Sequence, residues 1–345
     1  MTLSVAAFTG GIDVPSARFR VRQFVAPLRA EGVDVVELPS RAGAYPPSTG
    51  LRRVAWAVRN LAARLSDVAG RAARTADVTL LQREFLSTKI TLEPLTRRPR
   101  VLDVDDAIWF WGGDAFARRL AGLCELVICG NAFLAEQFAS WHGRVEVLPT
   151  AVDTDRFVPA GAGDGAPSGE RPQVLGWSGT RSTLPCLYAI ERPLAEVLRR
   201  HPRAILRVVC DAPPDLPSLG DRVSYVPWSP DAEVRSLQDL AVGLMPLEDS
   251  VATRGKCSLK MLLYMACGVP VVVSPVGANR DVLACGEVGL AATTPDDWVD
   301  AIDTLLRAPH RADRCGARGR AIVEERFSVR ALAPRLASLL REVAG

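Results

Sequence analysis

The sequence predicts an α/β protein made of two doubly wound halves. Short apolar runs alternate with helical patterns along nearly the whole chain, which is how a parallel sheet flanked by helices reads. One stretch, AGAGDGAPSGERP at 160–172, has no periodicity and interrupts the alternation as a linker would. The length of 345 residues suffices for two domains with sizeable cores.

In the first half, 1–159, the spacing predicts a strand near 3–8, a helix near 16–30 and a strand near 33–38. Further strands are expected near 78–81, 101–104, 126–129 and 145–148. Residues 51–74 read as one basic amphipathic helix, with Leu51, Val54, Val58, Leu61 and Leu65 as an apolar stripe and six arginines against Asp67. Packing of that stripe into the core is the expected use, with peripheral membrane contact as the alternative. The second half, 173–326, offers strands near 174–178, 205–209, 223–226, 242–245 and 269–273. Helices are expected at 184–200, 230–239, 296–307, 311–326 and 328–343.

Composition removes several function classes. The formal charge is +3, and residues 1–150 carry 19 Lys+Arg against 15 Asp+Glu, too weak a bias for a nucleic-acid partner without a basic stripe and interleaved aromatics. Eight cysteines without a CxxC pair, beside only three histidines, favour buried thiols over a disulfide framework or a metal site. The opening TLSVAAF reads as a strand rather than a leader, and no apolar run approaches a bilayer span, so a cytoplasmic location is expected, with the inner membrane face as its variant.

The most informative segment is GKCSLKMLLYMACGVPVVVSPVGAN, Gly255 to Asn279. Ser258 can cap a helix whose apolar positions Leu259, Leu262, Leu263 and Ala266 recur at helical spacing, and Gly268 and Pro270 end it. Val269 to Ser274 reads as a central strand. A helix start carries positive potential, and Lys256 and Lys260 add charge, so diphosphate would suit it; a solvated helix face is the other reading of the two lysines.

Met265 to Val272, MACGVPVV, together with the VG turn at Val276 and Gly277, resembles the signature of retaining glycosyltransferase family 4, which has the GT-B fold. A sub-group of that family carries GKC and a following Lys here. The resemblance implies two Rossmann-like domains facing across a cleft, with 327–345 crossing back onto the N-terminal domain. It implies a nucleotide diphosphate sugar as donor, bound mainly by the second domain, a hydroxyl-bearing acceptor bound mainly by the first, and neither cofactor nor metal. Cys257, Ser258 and Leu259 would meet the donor phosphate, and Lys256 and Lys260 would stabilise the departing diphosphate.

Other segments fit the same family pattern. GWSGTRST, Gly176 to Thr183, follows a strand and brings backbone N–H groups close to an oxyanion. Its Gly179, Thr180, Arg181 and Ser182 resemble the donor diphosphate loop, although the family's Lys is absent and Lys260 and Lys256 are expected to replace it. Asp211 and Trp228 match positions flanking the nucleotide base, with a core aromatic as the other reading of Trp228, and Glu248, Asp249 and Arg254 would reach the sugar. VLDVDDAIW ends a strand with Asp103, Asp105 and Asp106; the resemblance puts Asp105 or Asp106 near a sugar-contacting position, and a solvated turn or helix cap is the alternative. Gly10 and Gly11 open a loop leading to Arg18, Arg20 and Arg22, which resembles the family's acceptor loop. Arginine grips phosphate or carboxylate in a bidentate manner, so an anionic acceptor would suit it, with exposed helix charge as the other reading. Glu84, with Gln82 and Arg83, follows the third strand and would face the acceptor, with ordinary surface polarity as the equal alternative.

The family's two acidic residues, spaced eight apart, fall at Gly255 and Leu263, so neither carboxylate is present. The expected function is retaining sugar transfer in bacterial glycan or glycosylated-metabolite biosynthesis. A catalytically silent GT-B protein binding a nucleotide sugar or a partner enzyme is the alternative. A nicotinamide-dependent dehydrogenase lacks its G-x-G-x-x-G turn.

Overall fold

The computed structural model describes residues 2–43, 50–161 and 173–345, so the predicted linker lies, from residue 162, outside the described residues. The chain divides into two units. Unit 1 comprises Met1–Ala151, Arg254–Cys257 and Val329–Gly345; unit 2 comprises Val152–Thr253 and Ser258–Ser328.

Unit 1 holds six parallel strands: β1 Leu3–Thr9, β2 Val33–Pro39, β3 Val78–Gln82, β4 Arg100–Val104, β5 Leu126–Cys129 and β6 Val145–Val147. Their order is β2-β1-β3-β4-β5-β6. The chain therefore changes direction across the sheet between β1 and β3, and the loops leaving these two strands stand where doubly wound sheets bind ligands. β4 and β5 are buried at every position, which explains their continuous apolar character. The final helix, Val329–Ala344, belongs here because Leu332, Leu336 and Leu340 share the core of Val5, Leu80, Val101 and Leu126.

Unit 2 holds β7 Gln173–Ser178, β8 Ala204–Cys210, β9 Val223–Pro227, β10 Val242–Met245, β11 Val271–Val273 and β12 Gly289–Ala291, all parallel, in the order β12-β11-β10-β7-β8-β9. Here the switch point lies between β7 and β10. Residues 152–159 pack with this unit rather than the first: the Val152 N–H donates to the Phe327 carbonyl, Phe157 is buried, and Arg320 donates to the carbonyls of Thr154 and Phe157.

Several elements differ from their sequence-based outlines. The helix expected at 16–30 is broken into Pro15–Arg20, a 3-10 turn Arg22–Phe24 and Val25–Ala30. The helix expected at 184–200 divides into Leu184–Tyr188 and Glu191–Arg200. β12 was not anticipated, since a three-residue GLA edge strand has no periodicity to read; a Cβ at Gly289 would stand 1.9 Å from the Val271 carbonyl oxygen, so only glycine lets this strand lie against β11. Ser258 precedes the helix Leu259–Ala266 but does not cap it with its side chain. At φ 55° its hydroxyl turns away and donates to Asn279 Oδ1 at 2.8 Å.

The largest correction concerns 51–74. The helix runs Leu51–Ala69, breaks at Gly70 and resumes as Arg71–Thr75. Most of its stripe does not enter the core: Leu51, Val54, Val58 and Leu65 are 87%, 60%, 61% and 52% exposed, and Leu61 is half-buried. The residues turned fully inward are polar, Asn60, Arg64 and Asp67, with Val68 packed beside them against the core. The inward arginine finds partners that an apolar residue would not, donating to the carbonyls of Leu38 and Thr9 with its guanidinium 4.8 Å from the Phe85 ring centroid.

In unit 2 the Tyr264 ring fills the space over Gly243, where a Cβ would fall 2.4 Å from the ring. The Tyr264 hydroxyl accepts from the Ser178 N–H at 2.8 Å and donates to the Leu244 carbonyl. Gly243→Ala is therefore expected to cost about 1–3 kcal/mol by overpacking, read as a lower urea midpoint at unchanged m-value.

Candidate functional site

At the β7 end of unit 2, Gly179 to Thr183 form a tight turn after a buried strand. A Cβ at Gly179 would lie 2.3 Å from the Trp177 ring and 2.7 Å from Thr183 Oγ1, so the glycine brings the backbone down onto both. The Thr183 hydroxyl accepts from the Thr180 N–H at 3.2 Å. Thr180, Arg181 and Ser182 are exposed. Asp211, at the end of β8, accepts from the Arg181 N–H at 2.5 Å, so its carboxylate braces this loop.

Lys260 lies on the first turn of the helix Leu259–Ala266. Its Nζ stands 4.4 Å from the Trp177 ring centroid and 3.3 Å from Thr183 Oγ1, which brings a cation to the turn as expected. Behind it, Asn279 holds Ser258 and donates to the Ser274 carbonyl at 3.0 Å. Trp228 is half-buried and donates from its indole to Glu233 Oε1 at 3.1 Å, so this aromatic expected near a base is tied to a buried glutamate.

Lys256 parts company with Lys260. Arg254 to Cys257 pack in unit 1, where Lys256 Nζ stands 3.0 Å from Asp106 Oδ2. The segment is held by Asn131, whose Nδ2 donates to the carbonyls of Arg254 and Lys256 at 3.2 and 3.0 Å while its Oδ1 caps the next helix at Leu134. Asn131 escaped the sequence reading as a site residue, although an Asn between a strand and an apolar helix is a recognisable N-cap. Gly255 fits because nothing larger does: a Cβ would stand 2.7 Å from the Ala107 nitrogen. Cys257 buries its thiol against the Asp105 carbonyl at 3.4 Å, and burial pushes its pKa up. Leu259 is half-buried; Leu263, at the second position of the missing acidic pair, is buried, so neither it nor Gly255 is open to a carboxylate without rearrangement.

The aspartates after β4 take three different states. Asp103 is buried and pairs in bidentate fashion with buried Arg20, Nε to Oδ1 at 3.0 Å and Nη2 to Oδ2 at 2.6 Å, while Arg20 Nη1 donates to the Leu148 carbonyl. Arg20 is thus a structural residue and not the ligand-facing one expected. Arg22 is likewise committed, gripping Glu37 through Nε and Nη2 at 2.8 and 2.7 Å. Arg18 lies over the Phe19 ring at 4.3 Å. Gly10 and Gly11 sit on the loop at the β1 switch point, with Gly11 at φ 149°.

Asp106 stays near cations, with Lys256 at 3.0 Å and Arg83 Nη1 at 3.9 Å, and its Oδ1 accepts from the Ala107 N–H. Asp105 Oδ1 is sealed from solvent without a hydrogen-bond partner among the described residues. Burial raises its pKa to about 6, with nearby Arg83 pulling the other way. Gln82 Nε2 and Glu84 Oε2, at the end of β3, are also buried without hydrogen-bond partners among the described residues, Glu84 Oε2 lying 3.8 Å from Arg83 Nε. Arg83 between them adopts φ 64°, a strained left-handed conformation for a side chain of this size, and such outliers gather at functional sites. No group of three His, Cys, Asp or Glu among the described residues is placed to hold a metal ion.

Two outcomes follow. Arg20→Met is expected to cost about 3–5 kcal/mol by leaving Asp103 charged and buried, measured by chemical denaturation. For Asp105, the folded state favours the neutral acid, so its ionisation subtracts stability progressively from about pH 4 to about pH 6 and fully above that. Asp105→Asn should therefore gain on the wild type by as much as about 3 kcal/mol between about pH 4 and pH 7. A stability difference that stays constant across that range would show that Asp105 titrates normally.

Residues 185–308 match the family model "Glycosyl transferases group 1". A GDP-mannose-dependent alpha-(1-6)-phosphatidylinositol monomannoside mannosyltransferase of Mycolicibacterium smegmatis is 30% identical over 260 residues, 65% of this chain and 64% of the relative. A D-inositol 3-phosphate glycosyltransferase of Frankia alni is 31% identical over 242 residues, 59% of this chain and 57% of the relative. The chain thus spans less than two thirds of the length of these relatives. In structure it resembles sucrose-phosphate synthase from Thermosynechococcus elongatus, with TM-score 0.72 and 16% identity over 98% of both chains. It also resembles Anabaena HepE in complex with UDP-glucose, with TM-score 0.70 and 15% identity over 98% of this chain and 99% of that one. The chain has the two-sheet α/β GT-B fold of these structures, and its residues 185–308 match the group 1 glycosyl transferase model.

Proposed function

We propose that the protein is a retaining, metal-independent glycosyltransferase that moves a sugar from a nucleotide diphosphate donor to an acceptor hydroxyl. The observation that carries this reading is Lys260 on the first turn of its helix, held over Trp177 beside Thr183 at the switch point of unit 2. A cation, a helix start and a close-lying glycine turn together suit a diphosphate that gains charge as it departs.

In this mechanism the donor binds in unit 2 through Gly179 to Ser182, Lys260 and the helix start at Ser258 and Leu259. Departure of the nucleotide diphosphate leaves an oxocarbenium-like sugar, and the acceptor oxygen attacks from the same face. A phosphate oxygen of the leaving group takes the acceptor proton, so no protein base is required. The acceptor binds in unit 1 near Arg83, Glu84, Asp105 and Asp106. Arg83 and Lys256 there, and the inositol phosphate and phosphatidylinositol in the names of the relatives, support an anionic group on it.

A silent protein that binds the donor without transferring it is favoured by one observation, the closed environments of Gly255 and Leu263. The two readings separate in one experiment. Purified protein is incubated with GDP-mannose, UDP-glucose and other nucleotide sugars, with and without inositol phosphate or phosphatidylinositol acceptors, and nucleotide diphosphate release is followed. Transfer is expected with at least one pair, and Lys260→Ala should lower kcat/KM by about 10²-fold or more. Donor binding without turnover would establish the silent reading, and a fully active Lys260→Ala would remove Lys260 from the mechanism.

A further inference from the structure

The helix Leu51–Ala69 is inverted relative to an ordinary surface helix, which turns apolar residues in and polar residues out. Its outward face consists of Leu51, Val54, Val58 and Leu65, with exposed Ala55 and Ala62 between them. This orientation is not slack. Arg64 donates to two strand-end carbonyls, Asp67 accepts from Arg41 at 3.0 Å, and the Trp56 indole donates to the Ala42 carbonyl at 2.8 Å. Rolling the helix over to bury its stripe would strand a guanidinium and a carboxylate, so the fold holds the stripe in water.

The charge around the stripe has one sign. Arg52, Arg53, Arg59, Arg71 and Arg74 are exposed, and the single acid of residues 51–75, Asp67, is turned inward. On one flank Arg52 and Arg59 join Arg41 and Trp56 around a hollow of about 330 Å³. An apolar stripe edged by arginines matches the boundary between acyl chains and anionic headgroups, where apolar side chains enter hydrocarbon and guanidinium groups meet phosphates. A second copy of the chain fits poorly, because a two-fold contact through this face would oppose its own arginines. Nucleic acid would leave the stripe wet.

We propose that this outward face of the Leu51–Ala69 helix is a docking surface for an anionic membrane, with the stripe inserted and the arginine-lined hollow holding a lipid phosphate. The proposal goes beyond the sugar-transfer reading and does not depend on it.

Vesicle flotation of the full chain tests it. Pure phosphatidylcholine vesicles are compared with vesicles containing about 30 mol% phosphatidylglycerol, at low salt and at about 0.5 M salt. Binding to the anionic vesicles should exceed binding to the neutral ones by about tenfold or more and weaken with salt. Val54→Ser/Val58→Ser/Leu65→Ser should lose most binding on both vesicle types, whereas Arg52→Gln/Arg59→Gln should lose only the anionic preference, by about tenfold or more. All five positions are exposed, so both variants should keep the wild-type melting temperature, which is checked in parallel. Equal binding to both vesicle types, variants that float like the wild type, or a wild-type dimer in solution that the serine variant disrupts would each overturn the proposal.

Discussion

The buried ion pair between Arg20 and Asp103 organises the carboxyl end of the unit 1 sheet. Two charges removed from water cost several kcal/mol each, and only a fork that satisfies both carboxylate oxygens offsets that cost. Having spent Nε and Nη2 on Asp103, Arg20 uses Nη1 on the Leu148 carbonyl, so one side chain ties the first helix, the end of β4 and the segment after β6. The loops that carry Asp105, Asp106 and Arg83 hang from this tie.

Next to it, the remaining charges sort by access to partners. Asp106 meets Lys256 and Arg83, whereas Asp105 Oδ1 is sealed from solvent without a hydrogen-bond partner among the described residues, and burial pushes this carboxyl toward its neutral form. Two adjacent carboxyl groups with different preferred states thus set a hydrogen-bond donor beside an anion-balanced cation. Gln82 Nε2 and Glu84 Oε2 at the neighbouring strand end likewise make no hydrogen bond among the described residues. In unit 2 the corresponding cation is Lys260, held by Trp177 and Thr183 at a turn that only glycine closes.

Much of this was legible in the sequence. The alternation of apolar runs located eleven of the twelve strands because parallel strands buried on both faces are short and β-branched. The missed strand, β12, depends on a single close approach at Gly289, which leaves no pattern. The glycine turn at 179 and the cationic start of the Leu259–Ala266 helix were also readable, since strand, turn and helix follow one another along the chain. The partnership of Arg20 with Asp103, 83 residues apart, was not, because charge pairing at that separation depends on the sheet order.

By itself, the sequence determined that the chain forms two doubly wound units and that residues 255–279 hold a helix start beside a buried strand. It also determined that residues 51–69 are amphipathic. Only the tertiary structure decided that Lys256 and Lys260 serve different units, that Arg20 and Arg22 are consumed by internal carboxylates, and that the apolar stripe of Leu51, Val54, Val58 and Leu65 faces outward. The reason is physical: periodicity records that a helix has two unlike faces, but which one turns inward depends on what waits there. Here the carbonyls of Thr9 and Leu38 and the ring of Phe85 await an arginine.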